Sequence, residues 1–525
     1  MPVSKFLPTG QDRYRGNVPI NWFFAKDDEK GPILLRTPGA GLFSATTAPA
    51  GIAVRGMKVM GDYLYVVVQT TQSTSTVYQV DRAGNYLSIG SLSTGIGNLN
   101  IIVNGGHTQI AFLDGVNGYV YDTYPKSWVR ATGYLAGIYV QPTTANQLFY
   151  LCTVAGTSDV TEPTWPTTIG ATVNDNGVIW QCVSGVPYFA EITDPNFLGG
   201  GSGCYQDGYL IYAKPNTREW GVSNLNDFTT YDGNGQSTKE GGDDNIAAVL
   251  TSHLNVWLMG EKTIEIYYDA GTPAVMPFVR LSGTFIEKGV IAPRSAVIGD
   301  DTVWWLTNEK QVVVAAGYQP KRISTDQMER EISDYPTVAD AIGWFQVDEG
   351  HSFYWLTFPT ANVTWVFDDK TKSWHKRSTY PKNGRHLANC YAYFDGKHLV
   401  GSSGSSAIYK LDTEIFTDAG QPIRRVVQSR EFRNGGERLS FPDLQFVFNH
   451  GLGTGSSTIT NDAMLSWSKD GGNTFNCQRR SSMGDFGQYG YRTIFKKLGS
   501  DYQRIYQLET TNPACGDLLE VDEMT

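Results

Sequence analysis

Gly61-Asp62-Tyr63-Leu64-Tyr65-Val66-Val67-Val68, followed by Thr76 to Val80, sets the grammar from which the fold is read. A tight turn leads into a strand dense in aromatic and β-branched residues, and a second turn and strand complete the unit. The unit recurs along the chain. Gly105-Gly106 precedes Thr108 to Leu113, with Gly118 to Asp122 after it, and Asp207-Gly208 precedes Tyr209 to Ala213, with Trp220 to Ser223 after it. Leu254 to Met259 pairs with Thr263 to Tyr268, and Asp300-Asp301 precedes Thr302 to Leu306 and Gln311 to Ala316. Phe353 to Phe358 leads to Val363 to Asp368, and Asp395-Gly396 precedes Lys397 to Val400 and Ala407 to Leu411. Each unit carries an apolar face that it cannot bury alone, and radial stacking hides those faces while leaving short protected edges. The pattern predicts an all-β chain built on an irregular β-propeller of six or seven blades. An open solenoid or two packed sandwiches satisfies the same spacing.

Around this core the sequence divides further. Residues 1–50 read as an N-terminal arm and first strand, punctuated by Pro8, Pro19 and Pro32, with Tyr14, Trp22, Phe23 and Phe24 as sticky points. Residues 51–137 and 187–422 form the two parts of the propeller. Between them, 138–186 is Thr- and Gly-rich and reads as a small inserted β module, an insertion whose closure entropy grows only slowly with length. Within it Cys152 and Cys182 sit near the ends of strands able to pair, as free thiols or as a disulfide. Thr325 to Ile332 reads as one short helix between blades, capped by Thr325 or Asp326. From 423 to 525 the strands lengthen and cations accumulate, which predicts a C-terminal β-sandwich.

Composition narrows the function classes. A chain of 525 residues with 41% apolar and 18% charged residues is neither a disordered polymer nor one ordinary core. The 29 Tyr, 24 Phe, 13 Trp and 57 Gly suit many short strands with tight turns. Six Cys in this length do not make a disulfide scaffold. No basic leader with an apolar run opens the sequence, and no run is long enough for a membrane helix.

Chemistry-bearing constellations are scarce. There is no phosphate-binding glycine loop, no His-Glu-x-x-His and no serine elbow. None of the seven His has metal-ligand spacing; His386 and Cys390 lie four apart, but on a strand-like stretch that denies them a common helical face. The doublets Asp27-Asp28, Asp243-Asp244, Asp300-Asp301 and Asp368-Asp369 fit turns better than a hydrolytic carboxylate pair. The sharpest local motif is Ser468-Lys469-Asp470-Gly471-Gly472-Asn473-Thr474-Phe475. It resembles the Asp-box hairpin of sialidase propellers, whose Ser468, Asp470, Gly472, Thr474 and Phe475 equivalents are structural. Arg479, Arg480, Arg492, Lys496, Lys497 and Arg504 form a basic cluster that faces solvent, a neighbouring subunit or DNA backbone.

Three stretches carry a family resemblance. Glu261 to Tyr268 contains Thr263-Ile264-Glu265-x-Tyr267; Gly271-Thr272-Pro273-Ala274-Val275-Met276-Pro277-Phe278 follows; Ile286 to Pro293 contains Gly289-x-x-Ala292-Pro293. Their order resembles the packaged-DNA stabilisation proteins of short-tailed bacteriophages, a tail accessory factor also described as a tail hub or nozzle protein. Val18-Pro19-Ile20-Asn21-Trp22 and Leu35-Arg36-Thr37-Pro38-Gly39 are similar to that family's N-terminal elements, and the insert resembles a module recurrent in phage structural proteins. The resemblance implies a homo-hexameric ring in the virion tail, assembled in the host cytoplasm. It would lie below the portal-adaptor ring and above a tail needle, plug or fibre protein. Such a ring retains the packaged genome and passes double-stranded DNA at ejection without sequence-specific recognition. It implies no catalysis, no cofactor and no membrane in the assembled virion. The net charge of −10 fits a duplex that slides past a repelling wall, the reverse of the attraction that basic binders use. Aromatic abundance and the Asp-box-like hairpin motivate the alternative, a carbohydrate-binding or glycan-cleaving β-propeller; a non-viral propeller scaffold is the third reading.

Overall fold

The computed structural model describes residues 18–27, 31–44, 46–123, 126–144, 146, 148–183, 188–271, 275–381, 384–449, 461–514 and 516–524. Residues 1–17, with Pro8 and Tyr14, Asp28, Thr272 to Ala274 and Cys515 lie outside them.

The two-strand units of the sequence become seven blades, each built on four antiparallel strands; in blade seven the sheet continues through Thr417–Asp418, parallel to Gly39–Leu42, and Gln421–Pro422. Blade one is Ala53–Met60, Tyr63–Gln69, Ser75–Val80 and Tyr86–Leu92. Blade two is Asn100–Val103, Gln109–Leu113, Gly118–Asp122 and, after the insertion, Tyr188–Glu191. Blades three, four and five run from Ser202 to Thr238, Ile246 to Arg280 and Val297 to Arg322. Blade six spans Ile342 to Arg385 and has a short fifth strand. The inner strand of each blade neighbours the next, and that of blade seven, Ala388–Phe394, returns to that of blade one. The ring is therefore closed, which answers the open-solenoid alternative.

Alternation explains the packing. In Tyr63–Gln69 nearly every residue is buried, because a blade's second strand is covered on both faces by its neighbours. Successive clusters interleave adjacent blades, as where Trp257, Met259 and Ile266 of blade four meet Val303, Trp305 and Val313 of blade five. The expected helix is present as α1, Asp326–Ser333, between blades five and six. Thr325 caps it, its hydroxyl accepting from the Met328 amide at 3.3 Å, and Met328 and Ile332 anchor it in the core.

Residues 18–42 are more than an arm. Gly39–Leu42 pairs with Ile408–Asp412 as the fourth strand of blade seven. The hairpin Trp22–Asp27 and Gly31–Arg36 joins the C-terminal sandwich, in the order Trp22–Asp27, Gly31–Arg36, Leu518–Met524, Leu439–Phe448, Thr493–Asp501. The facing sheet is Arg425–Gln428, Gln503–Thr510, Asp462–Ser468 and Asn476–Ser482. Trp22 and Leu34 enter the sandwich core beside Phe446, Trp467 and Tyr506, while Phe23, Ala25 and Ile33 pack on Trp344, Trp355 and Val400 of blades six and seven. Alternation along one hairpin thus serves two cores.

The inserted module also starts earlier than the position 138 expected from composition. Lys126–Ser127 and Gly133–Tyr134 already belong to its sheets, which run to Val183. The stretch Lys126 to Thr132 hid this start, because its one core residue is Trp128. Trp128 and Trp180 both donate their indole N–H to Asp175, at 2.7 and 3.0 Å. Cys152 and Cys182 are buried free thiols: across the ladder Cys152 faces Trp180, and Cys182 faces Tyr150.

A Cβ at Gly39 would lie 2.3 Å from the Ile415 carbonyl oxygen and 2.7 Å from that of Thr417, both backbone atoms. Gly39→Ala is expected to cost about 1–3 kcal/mol by overpacking, read as a lower midpoint in urea unfolding. An unchanged midpoint would mean that Gly39–Leu42 does not complete blade seven.

Candidate functional site

The motif residues fall at two fasteners and one hairpin. The first fastener is the junction of propeller and sandwich. Ile20 bridges to Val426 of the sandwich through amide–carbonyl bonds of 2.9 and 3.1 Å, while the Pro19 carbonyl accepts from the Lys376 amide of blade six at 2.8 Å. Asn21 is fully buried in the left-handed region, φ 55°, a conformation asparagine tolerates better than most residues. Its Nδ2 donates to the Ser378 carbonyl at 3.0 Å and the Arg424 carbonyl at 2.7 Å; its Oδ1 accepts from the Ser378 amide at 3.0 Å. One side chain therefore holds blade six, the sandwich and the N-terminal segment together.

Arg36, at the end of the hairpin, ties it to the C-terminal segment of the sandwich and to the turn after Ile408–Asp412 of blade seven. Its guanidinium pairs with Asp517 at 2.7 Å, donates to the Thr413 carbonyl at 3.1 and 3.2 Å, and lies over the Phe416 ring. The Pro38 carbonyl accepts from Arg377 at 2.9 Å. Behind it Arg377 also reaches His386 at 3.0 Å and stands 3.8 Å from Asp418. Burial pulls the Arg377 and Arg425 guanidinium groups down to about 10, still charged at neutral pH, and pushes His375 and His386 down so that they remain neutral. His386 is thus a packed partner of Arg377 rather than a ligand set with Cys390, and no metal-holding group occurs among the described residues.

The second fastener holds blades three, four and five. Lys239 is wholly buried and donates to Asp244 at 2.5 Å and to Thr263 Oγ1 at 2.6 Å. Asp244 accepts further from the Lys262 and Thr263 amides, at 2.7 and 3.0 Å. Burial pushes the Asp244 carboxyl up, but the Lys239, Thr263 and amide hydrogen bonds outweigh it and hold the group down at about 2. Glu265 accepts from the Gly241 amide and from Tyr267 Oη at 2.9 Å, closing the connection between blades three and four. Ile264 exchanges backbone hydrogen bonds with Ile286. Gly289 passes so close to Glu261 and Lys262 that a Cβ would lie 2.2 Å from their backbone. The Ala292 carbonyl accepts from Ser295 at the turn opened by Pro293, and Ser295 in turn holds Leu306 and Tyr354 of blades five and six.

The hairpin lies in the sandwich. Asp470 Oδ1 accepts from Ser468 Oγ and from the Asn473 and Thr474 amides, and Oδ2 accepts from Thr474 Oγ1 at 2.6 Å. Gly472 (φ 93°) donates to Ser468 Oγ, and Phe475 is half-buried. Both carboxylate oxygens are occupied by the turn, so the box fastens a loop.

The basic cluster divides. Arg479, Arg480, Arg492, Lys496 and Lys497 are exposed. Arg504 is not part of that surface: it is 1% exposed, donates to the Leu498 carbonyl and Tyr506 Oη at 2.9 and 3.0 Å, pairs with Asp501, and stacks on Phe441 and Trp467. Arg425 is likewise interior, and Arg424 is held by Glu509. Strand alternation turns these arginines inward, a consequence of register that composition alone does not carry.

A family model described as "Bacteriophage P22 Gp10, beta-propeller" matches residues 10–416, and a second, "Bacteriophage P22 Gp10, beta-sandwich", matches 424–519. The chain belongs to this family. It is a family of structural phage-tail proteins that stabilise packaged DNA, not of enzymes, and it acts in the tail with the portal-connector and other tail components. No curated protein matches the chain. Among solved structures, the RRP9 WD40 repeats superpose at TM-score 0.33 and 8% identity, over 72% of this chain and 99% of theirs. An auxiliary nutrient binding protein from Bacteroides thetaiotaomicron gives 0.33 and 10%, over 71% and 76%. The exo-beta-1,3-galactanase of Phanerochaete chrysosporium gives 0.24 and 10%, over 93% and 99%. Superpositions this loose carry no argument about function.

Two outcomes are expected. Asn21→Ala leaves the Ser378 amide and the Arg424 carbonyl without their partner, a loss on the order of 2–4 kcal/mol; calorimetry should show propeller and sandwich melting in separate steps where the parent melts in one. Asp244 titrates lower when folded than unfolded. Its stabilisation is therefore complete above the unfolded value, about 4, and is lost as pH falls toward about 2. Asp244→Asn should lower stability at neutral pH and flatten the decline across that acid window; parallel pH profiles for both proteins would contradict the assignment.

Proposed function

We propose that the chain forms a closed homo-oligomeric ring, a hexamer, docked beneath the portal and its adaptor. There it closes the DNA channel, retains the genome and passes the duplex at ejection. A tail needle, plug or fibre protein attaches below, the part is assembled in the host cytoplasm, and the finished virion contains it without a membrane. The observation that carries this reading is the pair of family matches over 10–416 and 424–519, which leaves only short segments of the chain outside a tail architecture.

Three features support it. Pro19, Asn21, Arg36, Pro38 and Gly39, with Thr263, Ile264, Glu265, Tyr267, Gly289, Ala292 and Pro293, act as fasteners that stiffen a block working by shape. Residues 1–422 carry 30 Lys and Arg against 40 Asp and Glu, so the propeller portion repels phosphates and gives a passing duplex no sticky wall. The module at 126–183 leaves from the third strand of blade two and returns as its fourth, so it is carried on the blade's rim without interrupting the ring.

Purified full-length protein, mixed with portal-adaptor particles and imaged by electron microscopy, is expected to add a ring of density below the adaptor. Particles that stay bare across low and high salt would overturn the reading.

A further inference from the structure

One surface takes no part in either fastener: the open edge of the sandwich. Asn476–Ser482 ends one sheet and Thr493–Asp501 ends the other, and the two edges lie side by side, joined where Arg479 donates to the Lys496 carbonyl. Arg479, Arg480, Lys496 and Lys497 stand exposed along them. The loop linking the two strands adds Phe486, 69% exposed, and Tyr489, 72% exposed. Asp443, which accepts from the Lys497 amide, and Asp485 border this strip, and the balance stays cationic. Charged edges block stray strand pairing, but that need accounts for the cations and not for two large aromatic rings left in water beside them.

The complement occurs on the same chain. Residues 423–525 hold 12 Lys and Arg and 12 Asp and Glu, so the whole net charge of −10 lies in residues 1–422. In a closed propeller the inner strands all run the same way along the axis, so the turns from first to second strand share one face. Across blades four to six that end of the ring carries Leu254 in its turn and Ile298 and Val347 in the inner strands just before theirs, exposed at 71%, 44% and 55%, interspersed with Asp300, Asp301 and Glu349 and with an exposed cation, Lys370, whose Nζ would lie 3.7 Å from a Cβ at Gly350. Those three carboxylates take part in no ion pair among the described residues, whereas Asp395 of blade seven is taken by Lys397 at 2.7 Å. An apolar, acidic arc and an aromatic, basic strip are therefore presented by different domains of one molecule.

We propose that the sandwich edge of one copy docks on this propeller face of the next, a head-to-tail contact that builds the ring. The inference rests on the ring assigned above and names the surfaces that make it. Copies of an acidic chain repel in most orientations, and this is the pairing in which unlike charges meet. The contact is heterologous, because the strip and the arc are different patches; such contacts generate rings when the rotation closes. DNA is the less suitable occupant of the strip: a phosphate backbone rewards the cations but offers nothing to Phe486 and Tyr489.

Two variants test it. Arg479→Glu with Arg480→Glu reverses the strip. Ile298→Lys and Val347→Lys with Glu349→Lys reverse the arc, because three new cations then outweigh Asp300 and Asp301, whose left-handed turn is untouched. Each full-length variant should keep the parent's melting temperature, yet show at least about tenfold weaker self-association by mass photometry, both alone and on portal-adaptor particles. Mixed in equal amounts, the two should assemble again. Each contact then joins either two parental surfaces or two reversed ones, so recovery ties the strip to the arc, and the mass of the recovered species separates a closed ring from the dimer that a symmetric pairing of the same patches would give. The proposal is overturned if either variant assembles like the parent, if the mixture fails to recover, or if the strip variant assembles normally but loses affinity for a double-stranded DNA fragment. A parent that binds the particles singly, without lateral contacts, overturns this interface alone; a parent that does not bind them at all overturns the ring reading beneath it.

Discussion

The structure depends on one pairing between distant parts of the chain: Gly39–Leu42 laid against Ile408–Asp412. Three strands of blade seven come from residues 388–412 and the fourth from residues 39–42. Without that strand, the backbone groups of Ile408–Asp412 would face water along an open edge. The pairing joins residues more than 360 positions apart, so its entropic cost belongs to the folding of the whole ring, and each blade's buried face contributes to offsetting it. Gly39 is what lets the backbone enter, since the Ile415 and Thr417 carbonyls occupy the space a side chain would need.

The same segment makes the molecule one body. From Pro19 to Gly39 the chain crosses from blade six to the sandwich and back to blade seven, using Asn21, Arg36 and the two faces of one hairpin. Apart from that segment, the covalent passage from blade seven to the sandwich is only residues 423–424, since Gln421–Pro422 still belongs to the blade-seven sheet and Arg425 opens a sandwich strand. A link of that length alone would leave two domains free to rock. The buried hairpin and the Asn21 node replace it with packed apolar surface and side-chain hydrogen bonds that water does not contest.

Legibility in the sequence followed the range of the interactions. The seven turn-and-strand signals were readable because alternation and turn chemistry are local; each matched the second and third strands of a blade, whose residues are the most apolar. Inner and outer strands were quieter. Asn100–Val103 and Gln319–Arg322 are four residues each, and their place is set by neighbours. Motif residues at the fasteners were visible by resemblance, but not what they grip: Lys239 and Asp244, wholly buried partners of Thr263, carry no local mark of burial. Arg504 reads as part of the basic surface for the same reason. A cation's exposure depends on strand register against a second sheet, and a one-residue shift would reverse it. The early start of the inserted module was hidden because Lys126–Ser127 and Gly133–Tyr134 are strands of two residues, defined by their partners alone.

A part that holds back packaged DNA is loaded along the channel and must pass that load to its neighbours without yielding. Sheets resist well where hydrogen bonds and side chains share the load in parallel, and poorly where one strand peels at a time. The fasteners lie where peeling would start: the fourth strand of the closing blade, the connections around Asp244 and Glu265, and the hinge between propeller and sandwich at Asn21. None of these positions offers a cleft, a poised nucleophile or a metal-binding group. Their polar atoms point at backbone carbonyls and amides of adjoining elements, which is the use of polar side chains expected of a structural block. In this chain the chemistry of conspicuous residues is directed inward, at holding one shape.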